Sequence, residues 1–121
     1  MSVSRLTIPS LQKLVGGKIK ETATCVIKFY SNGCHYCHNL KDYYEDISNE
    51  EQYSDMHFFA FNIDDYPQIE KIINLNGVPS IFVIKTGGKR AKLRVLQEPE
   101  NPNKNTWYRV KDIKDFIDKE K

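Results

Sequence analysis

The sequence predicts an α/β domain built on a central mixed β-sheet of about five strands, flanked by about four helices. Three observations carry this. Runs of β-branched and aromatic residues alternate along the chain with segments of helical period. The last two strand-like runs are joined by a short glycine-containing turn, which adds an antiparallel pair to an otherwise parallel sheet. The 121-residue length suits one compact domain, 1–121, and a composition of 40% hydrophobic and 28% charged residues is that of a soluble globular chain.

Val3 to Ile8 alternates in part and reads as an edge strand. Pro9 and Ser10 open a helix with Leu11, Leu14 and Val15 on one face, and Gly16 and Gly17 end it. Thr22 to Tyr30 reads as a buried strand, broken by Asn32 and Gly33. From Cys34 the period changes from 2 to about 3.6: Cys37, Leu40, Tyr44 and Ile47 share a face, so a helix is expected to about Glu51. Met56 to Ile63 is a second core strand. Asp64 to Pro67 then turns the chain into a helix carrying Ile69, Ile72 and Ile73, stopped by Asn76 and Gly77. Ser80 to Ile84 is the third central strand, and Lys85 to Gly88 a hairpin turn. Arg90 to Leu96 alternates charged and apolar residues, as an antiparallel edge does. Glu98 to Asn105 is a loop, and Val110 to Lys119 a last amphipathic helix.

The net charge of +2 and a pI of about 8.4 are too weakly basic to point to nucleic acid. No apolar run approaches the roughly 20 residues that cross a bilayer. Met1 to Lys20 holds no apolar block of the secretory kind, so a cytoplasmic protein without a membrane partner is expected. Three cysteines, an odd number, make poor material for a secreted disulfide framework.

Two of them form the pair Cys34-x-x-Cys37 at the junction of a strand and a helix. At a helix N-terminus Cys34 meets free backbone N–H groups and the positive end of the dipole. Such settings lower a thiol pKa from about 8.5 to roughly 3.5–7.5. The thiolate is the attacking species in disulfide exchange. Cys37, one turn on, reaches the same sulfur from a more buried place and can resolve a mixed disulfide. Such a pair has two other uses. Zinc needs four ligands as a rule, and His35, His38 and His57 complete no common zinc spacing. Cys34-His35-Tyr36-Cys37-His38 also matches the haem c attachment pattern, which belongs to exported and mostly helical chains. No metal and no cofactor are expected.

The segments Phe29-Tyr30-Ser31-Asn32-Gly33-Cys34-His35-Tyr36-Cys37, Phe61-Asn62-Ile63-Asp64 and Asn76-Gly77-Val78-Pro79-Ser80 together resemble the thioredoxin superfamily, over about Val3 to Lys119. The resemblance implies the thioredoxin fold, a cis Val78–Pro79 peptide facing the cysteine pair, and substrate binding by the backbone at Val78. His35 and Tyr36 then border the substrate. Thioredoxins usually carry tryptophan before the first cysteine, where this chain has Gly33, and glycine and proline between the cysteines. His35 or its neighbour is a candidate to stabilise the thiolate and raise the redox potential. Lys28 stands where thioredoxins keep a buried aspartate that moves the proton of the second cysteine. Its head either snorkels to solvent or titrates low and serves Cys37 as a base.

Cys25 reads as an inert core thiol, with regulatory oxidation the other use. Tyr30, Tyr36 and Tyr66 are candidates to line the groove around Cys34, whereas Tyr43 and Tyr44 read as core or partial surface. Lys85, Lys89, Arg90, Lys92 and Arg94 form a basic edge that discourages sheet-to-sheet pairing, or docks an acidic partner. Trp107 and Tyr108 either pack the last helix or form a partner surface. The function expected is reduction or exchange of protein disulfides by a monomer, recharged by a thioredoxin reductase or by glutathione. A thioredoxin-fold binding module, and a more oxidising oxidase or isomerase, are the alternatives.

Overall fold

The computed structural model describes residues 3–121. Five strands, β1 (Val3–Arg5), β2 (Thr24–Tyr30), β3 (His57–Asn62), β4 (Ser80–Lys85) and β5 (Lys92–Val95), form one sheet in the order β1-β3-β2-β4-β5. β1 and β2 run parallel to β3, while β4 runs antiparallel to β2 and β5 antiparallel to β4. Three α-helices cover the sheet: α1 (Ile8–Val15), α2 (His35–Ser48) and α3 (Val110–Glu120).

Strand alternation sorts the core into two layers. Cys25, Ile27 and Phe29 of β2 and Phe82 and Ile84 of β4 face α1, whose Leu11 and Leu14 pack on them. Val26 of β2 and Ile81 and Val83 of β4 face α2 and α3, meeting Leu40, Tyr44, Ile47, Ile113 and Ile117. β2 is covered on both sides, which is why it reads as a continuous apolar run. Lys28 interrupts that run on the α2 side. Phe29 is fully buried, with ring centroids 5.7 Å from Phe61 and 5.4 Å from Phe82. Burial of this kind stabilises by about 1.5–3 kcal/mol per large side chain.

Helix ends follow local chemistry. Thr7 caps α1 by accepting from Ser10 N at 3.2 Å, so β1 stops at Arg5, short of the expected Ile8. α2 ends at Ser48, and the 3-10 turn Glu51–Tyr53 follows it. There Tyr53 is buried, and its hydroxyl donates to Asp118 at 2.9 Å, tying this turn to α3. The expected helix through Ile69, Ile72 and Ile73 is a 3-10 turn, Ile69–Lys71, preceded by another over Ile63–Asp65. The reason is geometric. Ile69, Ile73 and Leu75 are all buried in the α1-side layer. On a continued helix Leu75 would point more than 90° away from the face of Ile69 and Ile73. The chain therefore leaves the helix to bury all three. β5 spans Lys92–Val95, shorter than expected, with Lys92 and Arg94 exposed and Leu93 and Val95 half-buried.

Candidate active site

The site forms at one end of the central strand. β2 ends at Tyr30 and its register pairs Phe29 with Ser80, the first residue of β4. The Cys34–Cys37 turn and the Val78–Pro79 peptide therefore lie at the same end of the sheet. That peptide is cis. Pro79 is buried, and Val78 is half-buried in the α1-side layer, as is Tyr66.

Between β2 and α2 a short polar lattice holds the chain. Asn32 N donates to Asp64 Oδ2 at 2.7 Å, and Asn62 Nδ2 donates to Asn32 Oδ1 at 2.9 Å. Asn62 Oδ1 accepts from Asp64 N at 3.0 Å. His38 Nε2 lies 2.7 Å from Asn32 O, and since a carbonyl only accepts, this ring nitrogen carries the proton. Asp65 in turn pairs with Arg5 of β1. The ends of β2, β3 and α2 are thus fixed against one another before any sulfur chemistry begins.

Cys34 is the N-cap of α2. Its backbone is extended, and its Sγ accepts from Cys37 N at 3.1 Å. Cap oxygens normally do this work. Here sulfur occupies the place, beside unsatisfied N–H groups and the positive end of the helix dipole. Cys34 and Cys37 are joined by a disulfide across a Cα–Cα distance of 5.3 Å. Cys37 is 2% exposed, whereas Cys34 is half-buried at the surface. The accessible sulfur and the covered one are therefore distinct.

Behind Cys37 lies a cavity of about 280 Å³, lined by Lys28, Tyr30, His38, Lys41 and Tyr44 among others. Lys28 is 4% exposed, so its head does not snorkel into bulk water. Its Nζ lies 5.2 Å from the centre of the Tyr44 ring and 5.6 Å from that of Tyr30. Burial, with the Lys41 charge, lowers its pKa from 10.5 to about 8, while Glu45 and Asp42 oppose the shift. Burial pushes the Tyr44 phenol well above its ordinary value. Tyr44 stays a donor, to Phe59 O at 2.7 Å and Val26 O at 3.1 Å. Cys25 lies in the opposite layer, 4% exposed, and burial pushes its thiol up to about 11.

Of the residues that the sequence singled out, Lys28 and Cys37 share this cavity, and His35 and Tyr36 sit side by side at the start of α2 with ring centroids 4.0 Å apart. Trp107 and Tyr108 separate: Tyr108 is core, while Trp107 reaches back to Tyr36, with ring centroids 5.4 Å apart. The sequence does not announce Asn62 as a brace, and it offers His38 only as part of a haem pattern or as a zinc ligand without a common spacing. The signal for His38 was its place one residue after Cys37, on the helix face turned toward Asn32. Among the described residues no group of three or more His, Cys, Asp or Glu side chains converges to hold a metal.

A Cys-x-x-Cys disulfide that caps a helix at the end of a central strand defines a thiol–disulfide oxidoreductase site. The thioredoxin family model matches residues 12–103, and the chain belongs to the thioredoxin family. Solved structures share its fold at low identity. Trichomonas vaginalis thioredoxin superposes with a TM-score of 0.66 at 19% identity, covering 100% of this chain and 97% of that one. Thioredoxin f2, in its complex with ferredoxin:thioredoxin reductase, gives a TM-score of 0.69 at 18% identity over 98% of this chain and 94% of that one. The J-Trx1 fragment of ERdj5 gives 0.67 at 17% identity over 98% of this chain, which spans 50% of that fragment's length.

Proposed function

We propose that the chain reduces protein disulfides through Cys34 and Cys37. The observation that carries this is the cap geometry: an accessible Cys34 Sγ takes the N–H of a covered Cys37. In the dithiol form the Cys34 thiolate attacks one sulfur of a substrate disulfide. The Cys34–substrate bond forms, the substrate S–S bond breaks, and the departing thiolate takes a proton from water. Cys37 then gives its proton to Lys28, in the fraction of molecules whose amine is neutral, a fraction that grows as the pH rises through about 8, and attacks Cys34 Sγ. The Cys34–Cys37 bond forms, and the second substrate thiolate leaves and takes its proton from the Lys28 ammonium. The substrate gains two electrons and two protons, and a dithiol reductase or two glutathione molecules restore the pair. The complex of the similar thioredoxin f2 with a thioredoxin reductase favours a reductase of that kind as donor. Val78 and Pro79, with His35 and Tyr36, border the substrate chain. Such a reductant works in a reducing compartment, and the cytoplasm is proposed on that ground.

The test is a redox titration of the Cys34–Cys37 couple against glutathione, with single-turnover reduction of a peptide disulfide. Cys34→Ser is expected to abolish reduction, and Cys37→Ser to accumulate a covalent adduct detected by mass. Undiminished reduction by Cys34→Ser refutes the proposal.

A further inference from the structure

The loop from residue 97 to residue 109 is the part of the molecule that disulfide chemistry leaves unexplained, and it is built to hold one side chain. Trp107 has a backbone φ of +66°, the one positive value outside glycine among the described residues. A bulky residue there costs about 1–2 kcal/mol. The loop holds it regardless. Asn103 N donates to Trp107 O at 2.9 Å, and Trp107 N to Asn103 O at 3.0 Å. Asn103 Oδ1 accepts from Asn105 N and Thr106 N at 2.8 and 3.1 Å. Thr106 Oγ1 donates to Tyr108 O at 2.7 Å, and the Arg109 guanidinium donates to Asn101 O. Asn39 of α2 donates to Asn105 O at 2.8 Å, locking the loop to the helix that carries the cysteines. Strain that the surroundings over-determine points to a function for the residue that bears it.

That residue delivers an indole to the active-site turn. Its ring and that of Tyr36, which stands between the two cysteines, meet at 57° with centroids 5.4 Å apart. His35 adds a third ring, 4.0 Å from Tyr36. The indole N–H is already spent on Glu98 Oε2 at 2.7 Å, so the indole offers its apolar surface and not its donor. Both rings are half-buried. Gly33 beside Cys34 contributes no side chain of its own, and a Cβ built there meets nothing within 4 Å. The space next to Cys34 is therefore open at Gly33, while the rings of Tyr36 and Trp107 stand together at the turn between the two cysteines.

We propose that Tyr36 and Trp107 form a docking platform for an aromatic side chain next to the cysteine of an extended protein disulfide. The inference rests on the disulfide-reductase reading and deepens it by naming the substrate class. The platform is continuous with Cys34 through Tyr36 and is held rigid before the substrate arrives, so little ordering entropy is lost on contact. Aromatic pairs prefer tilted or offset geometry, and two ring faces set at 57° to one another offer an incoming ring contacts of that kind.

The test uses reduced protein in single turnover against three homodimeric peptide disulfides that differ only in the residue after cysteine: Phe, Ala or Arg. A third aromatic ring is worth about threefold to tenfold in second-order rate, Phe over Ala. Trp107→Gly, which suits the positive φ, is expected to bring that ratio to within about twofold of one. As a second measurement, the Cys34→Ser, Cys37→Ser double variant is titrated with the Phe peptide. Trp107 is the chain's single tryptophan, so its emission reports contact directly. A saturable emission change with the Phe peptide, and none with the Ala peptide, is expected.

Equal rates on the Phe and Ala peptides overturn the platform, as does a preference that survives Trp107→Gly or a faster reaction with the Arg peptide. If Trp107→Gly does not fold, the emission titration decides alone. Failure to reduce any peptide, or hydroxyethyl disulfide, sinks the reductase reading itself. That result is distinct from reduction without preference.

Discussion

Replacing Lys28 with methionine tests the buried amine directly. Lys28 is 4% exposed, with its Nζ over the Tyr44 and Tyr30 rings, where a methionine sulfur also makes favourable contacts. The cost of burying the charge appears in its pKa, lowered from 10.5 to about 8, chiefly by burial. That displacement corresponds to about 3 kcal/mol against the charged form. Below pH 8 the amine is charged in both folded and unfolded chains, and the folded state bears the whole cost. Between 8 and 10.5 the folded state sheds its proton first, the unfolded chain holds more protons, and stability rises with pH. Methionine keeps most of the length and removes the charge. Lys28→Met is therefore expected to be more stable than the parent by about 2–3 kcal/mol at pH 7, with the gap closing toward pH 10. Cys25 and Tyr53, raised to about 11 and about 12, lose stability in alkali because their unfolded forms ionise first, and they do so equally in both proteins. Urea unfolding at pH 7, 8, 9 and 10 measures the gap. A variant less stable than the parent at pH 7, or a gap constant across that range, refutes the reasoning.

Further outcomes follow from the same geometry. The step in which Cys37 displaces a substrate from Cys34, followed by stopped flow on a preformed mixed disulfide, should accelerate through a midpoint near pH 8 and lose that midpoint in Lys28→Met. Tyr44→Phe removes the single hydroxyl donor that Phe59 O and Val26 O share and should cost about 1–3 kcal/mol in denaturant unfolding. Gly87 has a φ of +100°, and a Cβ there falls 2.6 Å from Thr22 Oγ1, so Gly87→Ala should lower stability by at least about 1 kcal/mol.

Period and punctuation made the five-stranded sheet and its two-sided cover legible. β2 and β4 are apolar runs because both faces are covered, and β5 alternates because one face meets water. The Cys34 cap was legible too, because Gly33 marks the strand break and the 3.6 period starts at the cysteine. Local propensity failed at Ile69–Lys71, where three isoleucines suggest a helix and the need to bury Leu75 ends it. The Asn32–Asp64–Asn62 lattice joins residues that are up to 32 apart in the chain, and no local pattern announces it. Trp107 reads from the sequence as packing or partner surface, yet its contact with Tyr36 depends on a positive φ that no L-residue preference suggests.

The charges around the pair bear on the direction of electron flow. A disulfide carries no charge, whereas the reduced pair carries a thiolate. Any cation near the sulfurs therefore stabilises only the reduced form, and stabilising that form raises the potential. At neutral pH Lys28, in the cavity behind Cys37, is such a cation, and the α2 N-terminus adds its partial positive charge. A carboxylate in place of Lys28 acts in the opposite sense, repelling the thiolate. The couple should therefore lie above about −270 mV, the value of thioredoxin itself. Lys28→Asp should lower it by tens of millivolts, since about 30 mV corresponds to 1.4 kcal/mol. A potential unmoved or raised by Lys28→Asp, in the same glutathione titration, contradicts this. If it holds, structural disulfides below about −300 mV lie beyond this protein's reach, and its substrates are exposed or strained disulfides with higher potentials.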